Sequence, residues 1–307
     1  MKKSITPLPT VGLDVSEKYL HACEVSVDGE IEETSRFRNT EPKLTERFSK
    51  LPRRRIIVEV GSHSRWIAEL LTSFGHEVMV VDPRRLKLIS GTLYKDDKLD
   101  AQMLALLGWE VPHRLKTVAL RTRDHQMALT LVRTRATVVE ARTKLINAIR
   151  GLLKPYGVRI PKEGRSSSFC TYIREEIDPE LAALLGPMLW SLESMNESVN
   201  AYDNKVDALL PKLAPDALHL TTVTGVGALT VLYFVALVGD PNRFAKSRGI
   251  GPYFGLCRRR DDSGDHESEL GITKAGDRYM RALLANCATF ILGPFGPDSD
   301  LRRWGLR

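Results

Sequence analysis

Two short β-branched runs near the start of the chain each carry a carboxylate: Asp14 within Val-Gly-Leu-Asp-Val-Ser and Glu59 within Ile-Ile-Val-Glu-Val. Runs of this kind read as strands, and an acid inside an apolar strand is costly unless something neutralises it. Two more acids, Asp97 and Asp100, lie in Lys-Asp-Asp-Lys-Leu-Asp-Ala, at the start of a helical pattern. A spacing of three residues puts both on one helix face. Strand carboxylates facing a helical pair would form a strongly negative pocket, for which a divalent cation is the simplest neutraliser. Hard oxygen donors suit Mg²⁺ or Mn²⁺.

The surrounding pattern predicts a mixed α/β sheet. Residues 10–15, 19–27 and 30–38 alternate around the Asp28-Gly29 turn and read as a β-meander. A helix is expected over 42–51, a buried strand over 55–60, a helix over 64–74 and a strand over 77–81. Pro83 then opens a helical segment, and 97–107 reads as a helix with Leu99, Met103, Leu106 and Leu107 on it. A meander followed by strands alternating with helices is the signature of an α/β layer.

The middle of the chain changes character. A long helix over about 124–153 carries Arg133, Arg135, Arg142, Lys144, Arg150 and, just beyond it, Lys154, before Pro155-Tyr156-Gly157 ends it. Residues 157–180 read as irregular, with the Ser166-Ser167-Ser168 run and Asp178-Pro179 as a break. A second long helix is expected after Pro187. Its apolar positions, Met188, Leu192, Met195, Val199, Tyr202, Val206 and Leu209, alternate steps of four and three, which is a heptad seam. That seam serves a hairpin within one chain or a coiled coil between chains equally well. In the last third, Gly225-Val226-Gly227 precedes an apolar helix and is similar to a helix-hairpin-helix turn, whose backbone N–H groups face a phosphate. Arg258 to His266 reads as a polar loop holding Ser263, and Gly271-Ile272-Thr273-Lys274 leads through Arg278 into a helix containing Arg281.

Length and charge bound these readings. With 307 residues, about two domains are expected, and 43% hydrophobic residues suffice for a core. The excess of 45 Lys+Arg over 38 Asp+Glu, a net +7, suits a polyanionic partner. Arg133, Arg142 and Arg150, the Gly225 and Gly227 turn, and Lys274, Arg278 and Arg281 are the candidate nucleic-acid contacts. Cys23, Cys170, Cys257 and Cys287 are far apart with no Cys-x-x-Cys pair, so neither a disulfide framework nor a zinc site is indicated. The N-terminus has no signal region, and the longest apolar stretch, over 226–238, is too short and Gly-interrupted to cross a bilayer. A cytoplasmic protein without a membrane partner is expected.

Taken in order, these pieces resemble the DEDD-type transposases of the insertion-sequence family numbered one hundred and ten. The matches are Gly-Leu-Asp-Val-Ser at Asp14, Val-Glu-Val-Gly at Glu59, Lys-Asp-Asp-Lys-Leu-Asp-Ala at Asp97 and Asp100, Thr224-Gly225-Val226-Gly227, Arg243-Phe244, Gly255-Leu256, Ser263-Gly264, and Gly271-Ile272-Thr273-Lys274 with Gly276-Asp277-Arg278. The resemblance implies a ribonuclease H-like, Holliday-junction-resolvase-like α/β domain at 8–115. A helical, coiled-coil insertion would follow at 116–214, then a mainly α C-terminal transposase domain at 215–307. It implies that Asp14, Glu59, Asp97 and Asp100 hold Mg²⁺ or Mn²⁺ and that Ser263 is the nucleophile. It also implies donor and target DNA, a guide RNA encoded by the element, and a dimer or tetramer as working partners. Three positions depart from the family pattern. Asp262 stands where a second Ser is usual, Cys257-Arg258 follows Gly-Leu in place of Pro, and Asp96 replaces Thr. Ser268 is the alternative nucleophile.

The alternative function is a metal-dependent, structure-specific nuclease of the junction-resolvase kind, with the same four acids and no covalent intermediate. A sugar-kinase or actin-like ATPase also opens with a strand-borne Asp, but its glycine-rich phosphate loops are missing from the first 110 residues. A non-catalytic RNA-binding protein would have no use for acids in apolar strands.

Overall fold

The alternating run at the N-terminus forms the central strand of a five-stranded sheet. The structure, a computed structural model, describes residues 8–82, 97–160, 166–263, 266–294 and 296–307. The expected helix opening at Pro83 lies outside them. The chain divides into two compact units, Met1–Leu120 and Arg121–Arg307.

In the first unit β1 (Thr10–Val15), β2 (Tyr19–Val25), β3 (Ile31–Arg38), β4 (Arg55–Glu59) and β5 (Glu77–Val81) lie in the order β3-β2-β1-β4-β5. The expected meander is the antiparallel half, β1 to β3, and β4 and β5 run parallel to β1. Ser16 fixes the first turn: its hydroxyl donates to the Tyr19 carbonyl at 2.8 Å and accepts from the Tyr19 N–H.

Strand alternation then decides which residues meet which helix. Val11, Leu13, Leu20, Ala22, Ile56 and Val58 face α1 (Glu41–Phe48) and α2 (Ser64–Ser73), packing on Leu44, Phe48, Ile67 and Leu71. The opposite face receives α3 (Asp97–Glu110), where Cys23 and Val25 meet Ala101 and Ala105, and Ile57 and Val81 meet Leu104. Gly12 permits this contact. A Cβ there would lie 2.1 Å from the Ala101 carbonyl oxygen and 2.4 Å from the Ala105 nitrogen. The helix thus rests on β1 at backbone distance, which any side chain would prevent.

The second unit is mainly helical. α4 (Arg123–Leu153) runs beside α6 (Pro179–Leu213), with α5 (Ser166–Glu176) and α7 (Ala228–Val238) against them. Two expectations are corrected here. Much of 157–180 is not irregular, because α5 occupies part of it, and α6 begins at Pro179 rather than after Pro187. Asp178-Pro179 is a helix start. The Asp178 carboxylate accepts from the N–H groups of Glu180 and Leu181 at 3.0 and 3.1 Å, and Pro179 occupies a position whose missing N–H costs nothing. The helix then runs through Pro187, where one intrahelical bond is lost, while Leu185 and Leu189 on either side are buried with Ile149, Leu153 and Phe169.

The heptad seam is covered within the chain. Leu192 packs with Ile149 and Leu153 of α4, and Val206 with Ala128, Leu129 and Val132 of the same helix. A third correction concerns the polar segment around Ser263, expected as a loop. It is a two-stranded hairpin, β6 (Arg258–Ser263) and β7 (His266–Ile272), placed between α8 (Ile250–Tyr253) and α9 (Arg278–Leu292). Its base is closed backbone against backbone. A Cβ on Gly255, whose φ is +69°, would lie 2.4 Å from the Ala275 nitrogen, and one on Gly276 would lie 2.3 Å from the Tyr253 oxygen. A short helix, α10 (Asp300–Gly305), ends the described chain.

Candidate acidic site and nucleic-acid contacts

The parallel register of β1 and β4 last pairs Leu13 with Val58, so the next residues, Asp14 and Glu59, are neighbours at the strand ends. Alternation puts both on the face of Gly12 and Ile57, the face that α3 covers. The helix is threaded along β1. Gly108 lies on Thr10 and Ile57, and Ala105 and Ala101 lie on Gly12. Continuing in that direction, the first turn of α3, with Asp97 and Asp100, lies towards the Asp14 end of the strand. Asp14 and Glu59 are half-buried and Asp100 is exposed; the Asp97 side chain lies outside the described residues. Among the described residues no three His, Cys, Asp or Glu side chains are gathered closely enough to hold an ion. The chemistry of the donor set nevertheless fits a divalent cation. Two carboxylates on adjacent strands repel, and positive charge or the α3 N-terminus relieves that repulsion.

A row of side chains continues sideways from the acids. His21 of β2 stands opposite Asp14, and Arg36 of β3 stands opposite His21, on the same face. Neither was expected from the sequence. The signal was available in the tight turn at Ser16, which sets the pairing. On the other face Glu24 is buried and receives the guanidinium groups of Arg47 and Arg54, each at 2.6 Å. Arg47 also donates to Glu33 at 2.8 Å, and this bond holds the Glu33 carboxyl below its usual range.

The expected nucleic-acid contacts are placed as follows. Arg133 donates to the Tyr233 hydroxyl and to Asp277, both at 3.2 Å. Burial pushes the Tyr233 phenol up, and the Arg133 hydrogen bond opposes it. Arg142 donates to Asn196 at 3.3 Å, and the Arg150 guanidinium lies 5.5 Å from the Phe169 ring centre. Arg281 donates to the carbonyls of Phe254 and Gly276 at 3.1 and 2.6 Å. Lys274, in the left-handed region at φ 55°, precedes α9, and Arg278 is the first residue of that helix; both are exposed. Gly225 has φ +86° and packs against Phe290, and Gly227 caps α7 beside a hollow of about 480 Å³ that Thr224, Thr230 and Asn286 help to line. Ser263 is the last residue of β6, paired with His266, and Ser268 of β7 pairs with Asp261; their side chains lie outside the described residues.

Two family models match the chain. A DEDD-type IS110 transposase model covers residues 11–158, and the model of the IS116/IS110/IS902 transposase family covers 217–299. The y4pF/y4sB protein of Sinorhizobium fredii, whose name carries the word transposase, is 30% identical over 302 residues, spanning 95% of this chain and 74% of that protein. The chain belongs to the IS110-type transposase family. The transposase for insertion sequence element IS1111A of Coxiella burnetii is 26% identical over 100% of this chain and 84% of its own length. A pilin gene-inverting protein of Moraxella lacunata is 23% identical over 75% of this chain and 64% of its own length. For this transposase the DEDD-type domain implies a ribonuclease H-like fold, use of a divalent metal, and DNA as substrate. Among the described residues no helix is long and apolar enough to cross a membrane.

Proposed function

We propose that this transposase cuts and rejoins DNA strands with four metal-holding acids, Asp14, Glu59, Asp97 and Asp100, and a serine nucleophile, Ser263. The observation that carries the reading is the register that makes Asp14 and Glu59 neighbours on the face where the first turn of α3 points. In this reading the ends of β1 and β4 hold two of the carboxylates, and the first turn of α3 would bring the other two. A bound Mg²⁺ or Mn²⁺ would supply Lewis-acid polarisation of the scissile phosphate.

The Ser263 oxygen bonds to phosphorus, the phosphorus–oxygen bond to one deoxyribose breaks, and the serine proton is lost as the leaving oxygen gains one. The phosphoserine link conserves the phosphodiester bond for rejoining. The pilin gene-inverting relative supports a reaction that reseals what it cuts, because inversion requires it. In this reading residues 8–115 hold the metal, 116–214 form the helical insertion, and 215–307 carry Ser263. A guide RNA selects donor and target DNA by base pairing, and a dimer or tetramer brings the ends together.

The test uses Glu59→Gln and Ser263→Ala on a DNA carrying the element's ends. Glu59→Gln should cut nothing while remaining folded. Ser263→Ala should bind DNA but leave no protein–DNA adduct after denaturation. Near-normal cutting by Ser263→Ala without an adduct would establish the junction-resolvase alternative, and an adduct lost only in Ser268→Ala would move the role to Ser268. Sequencing the RNA that copurifies tests the guide.

A further inference from the structure

The row of side chains beside the acids ends in a cation with no assigned task. Arg36 lies on the α3 face of β3, and its guanidinium is stacked on the Tyr19 ring, 3.8 Å from the ring centre. Arg38, opposite Tyr19 on the same face, is exposed beside it. α3 packs across β1, β2 and β4, so the outer edge of this face remains accessible to solvent. Arg47 and Arg54 are tied to Glu24, Arg53 and Arg55 to Glu77 and Arg65 to Glu69, whereas Arg36 has its contact with an aromatic ring. Among the described residues, the stacking on Tyr19 is the one such contact that Arg36 makes.

We propose that Arg36, held over the Tyr19 ring and flanked by Arg38, grips a backbone phosphate of the DNA strand entering the acidic site. The proposal rests on the reading of Asp14 and Glu59 as the reaction centre. Two strand spacings separate Asp14 from Arg36, about 10 Å, so the phosphate held would be close to the scissile one. Stacking fixes the guanidinium plane before binding, and a planar fork fits two phosphate oxygens. A positive group at this distance also offsets the repulsion between a polyanion and the carboxylates. A strand held here is kept from sliding past the acids, so Arg36 is a positioning residue for the cut.

The full chain is titrated with labelled single-stranded DNA and with RNA of the same sequence, at several salt concentrations. Arg36→Gln should lower DNA affinity about tenfold and reduce the magnitude of the log–log salt slope by about 0.7. Tyr19→Leu, which keeps the charge and removes its platform, should lose about threefold. Arg36→Lys should recover the slope but not the full affinity. The divalent-cation rise in melting temperature should survive in Arg36→Gln and vanish in Asp14→Asn, which still binds DNA. Unchanged DNA affinity and slope in folded Arg36→Gln overturn the proposal, as does a loss confined to RNA. A cation-induced rise that persists in Asp14→Asn overturns the acidic-site reading and leaves the measured Arg36 contact standing.

Discussion

At the end of β1 the first unit places Asp14 beside Glu59, whereas on α4 the second unit ties one arginine after another to a neighbour. The acids owe their positions to strand register and to a glycine that lets α3 lie against the sheet. Arg133, Arg135, Arg142 and Arg150 instead join α4 to α7, α6 and α5 through Tyr233, Asp203, Asn196 and Phe169. A basic stripe counted along a helix is therefore not the same as available positive charge. Among the described residues, Arg133 and Arg135 are paired with Asp277 and Asp203, whereas the contact of Arg36, on an edge strand, is with the Tyr19 ring.

The comparison is tested most severely at the heptad seam. Leu192 and Val199 are buried within the second unit, so Leu192→Asp with Val199→Asp forces two charges into its core. The expected loss is about 5 kcal/mol or more, enough to unfold a domain of ordinary stability. Circular dichroism should show the helical signal collapsing at room temperature. If the variant keeps its helices and light scattering shows only a smaller particle, the seam belongs to an interface between chains.

Legibility followed the same division. In the first unit every expected strand formed within a few residues of its place, because two-residue alternation and turn chemistry such as Asp28-Gly29 are local signals. The placing of Asp14 and Glu59 one residue beyond the Leu13–Val58 pair was only half legible. Both were marked as strand-borne acids, but their adjacency depends on the β1–β4 register, a long-range property. In the second unit the helix start at Asp178-Pro179 carried its signal openly, as a cap followed by proline, and was obscured by reading proline as a breaker. The Ser263 hairpin had little signal. Its strand Arg258–Ser263 is RRRDDS, with no apolar alternation, and its ends are held by the distant approach of Gly255 to Gly276.

A smaller effect is expected behind the acids. Glu24 joins Arg47 and Arg54, and its side chain is only 9% exposed. Glu24→Gln leaves two partly buried guanidinium groups facing a neutral amide, at a cost of about 3 kcal/mol. Denaturant unfolding of the wild type and variant measures it. A cost below about 1 kcal/mol would place this cluster with ordinary surface pairs. The sheet's position would then rest on apolar packing alone, and the contrast between the units would lose its electrostatic part.

The smallest effect separates the two kinds of arginine directly. Arg133 makes two hydrogen bonds, to Tyr233 and Asp277, but its side chain is 53% exposed, so solvent already shares the load. Arg133→Gln should cost about 1 kcal/mol. Removing its bond should also push the buried Tyr233 phenol further up, because that bond is what opposes the effect of burial. Ultraviolet titration reads the phenol, and a folded variant should show it ionising at higher pH than wild type. The salt slope of DNA binding should be unchanged, whereas Arg36→Gln should reduce it. The reverse pattern, a shallower slope in Arg133→Gln with stability and phenol unaltered, would mean that α4 releases its arginine to the nucleic acid. The basic helix would then be a binding surface after all.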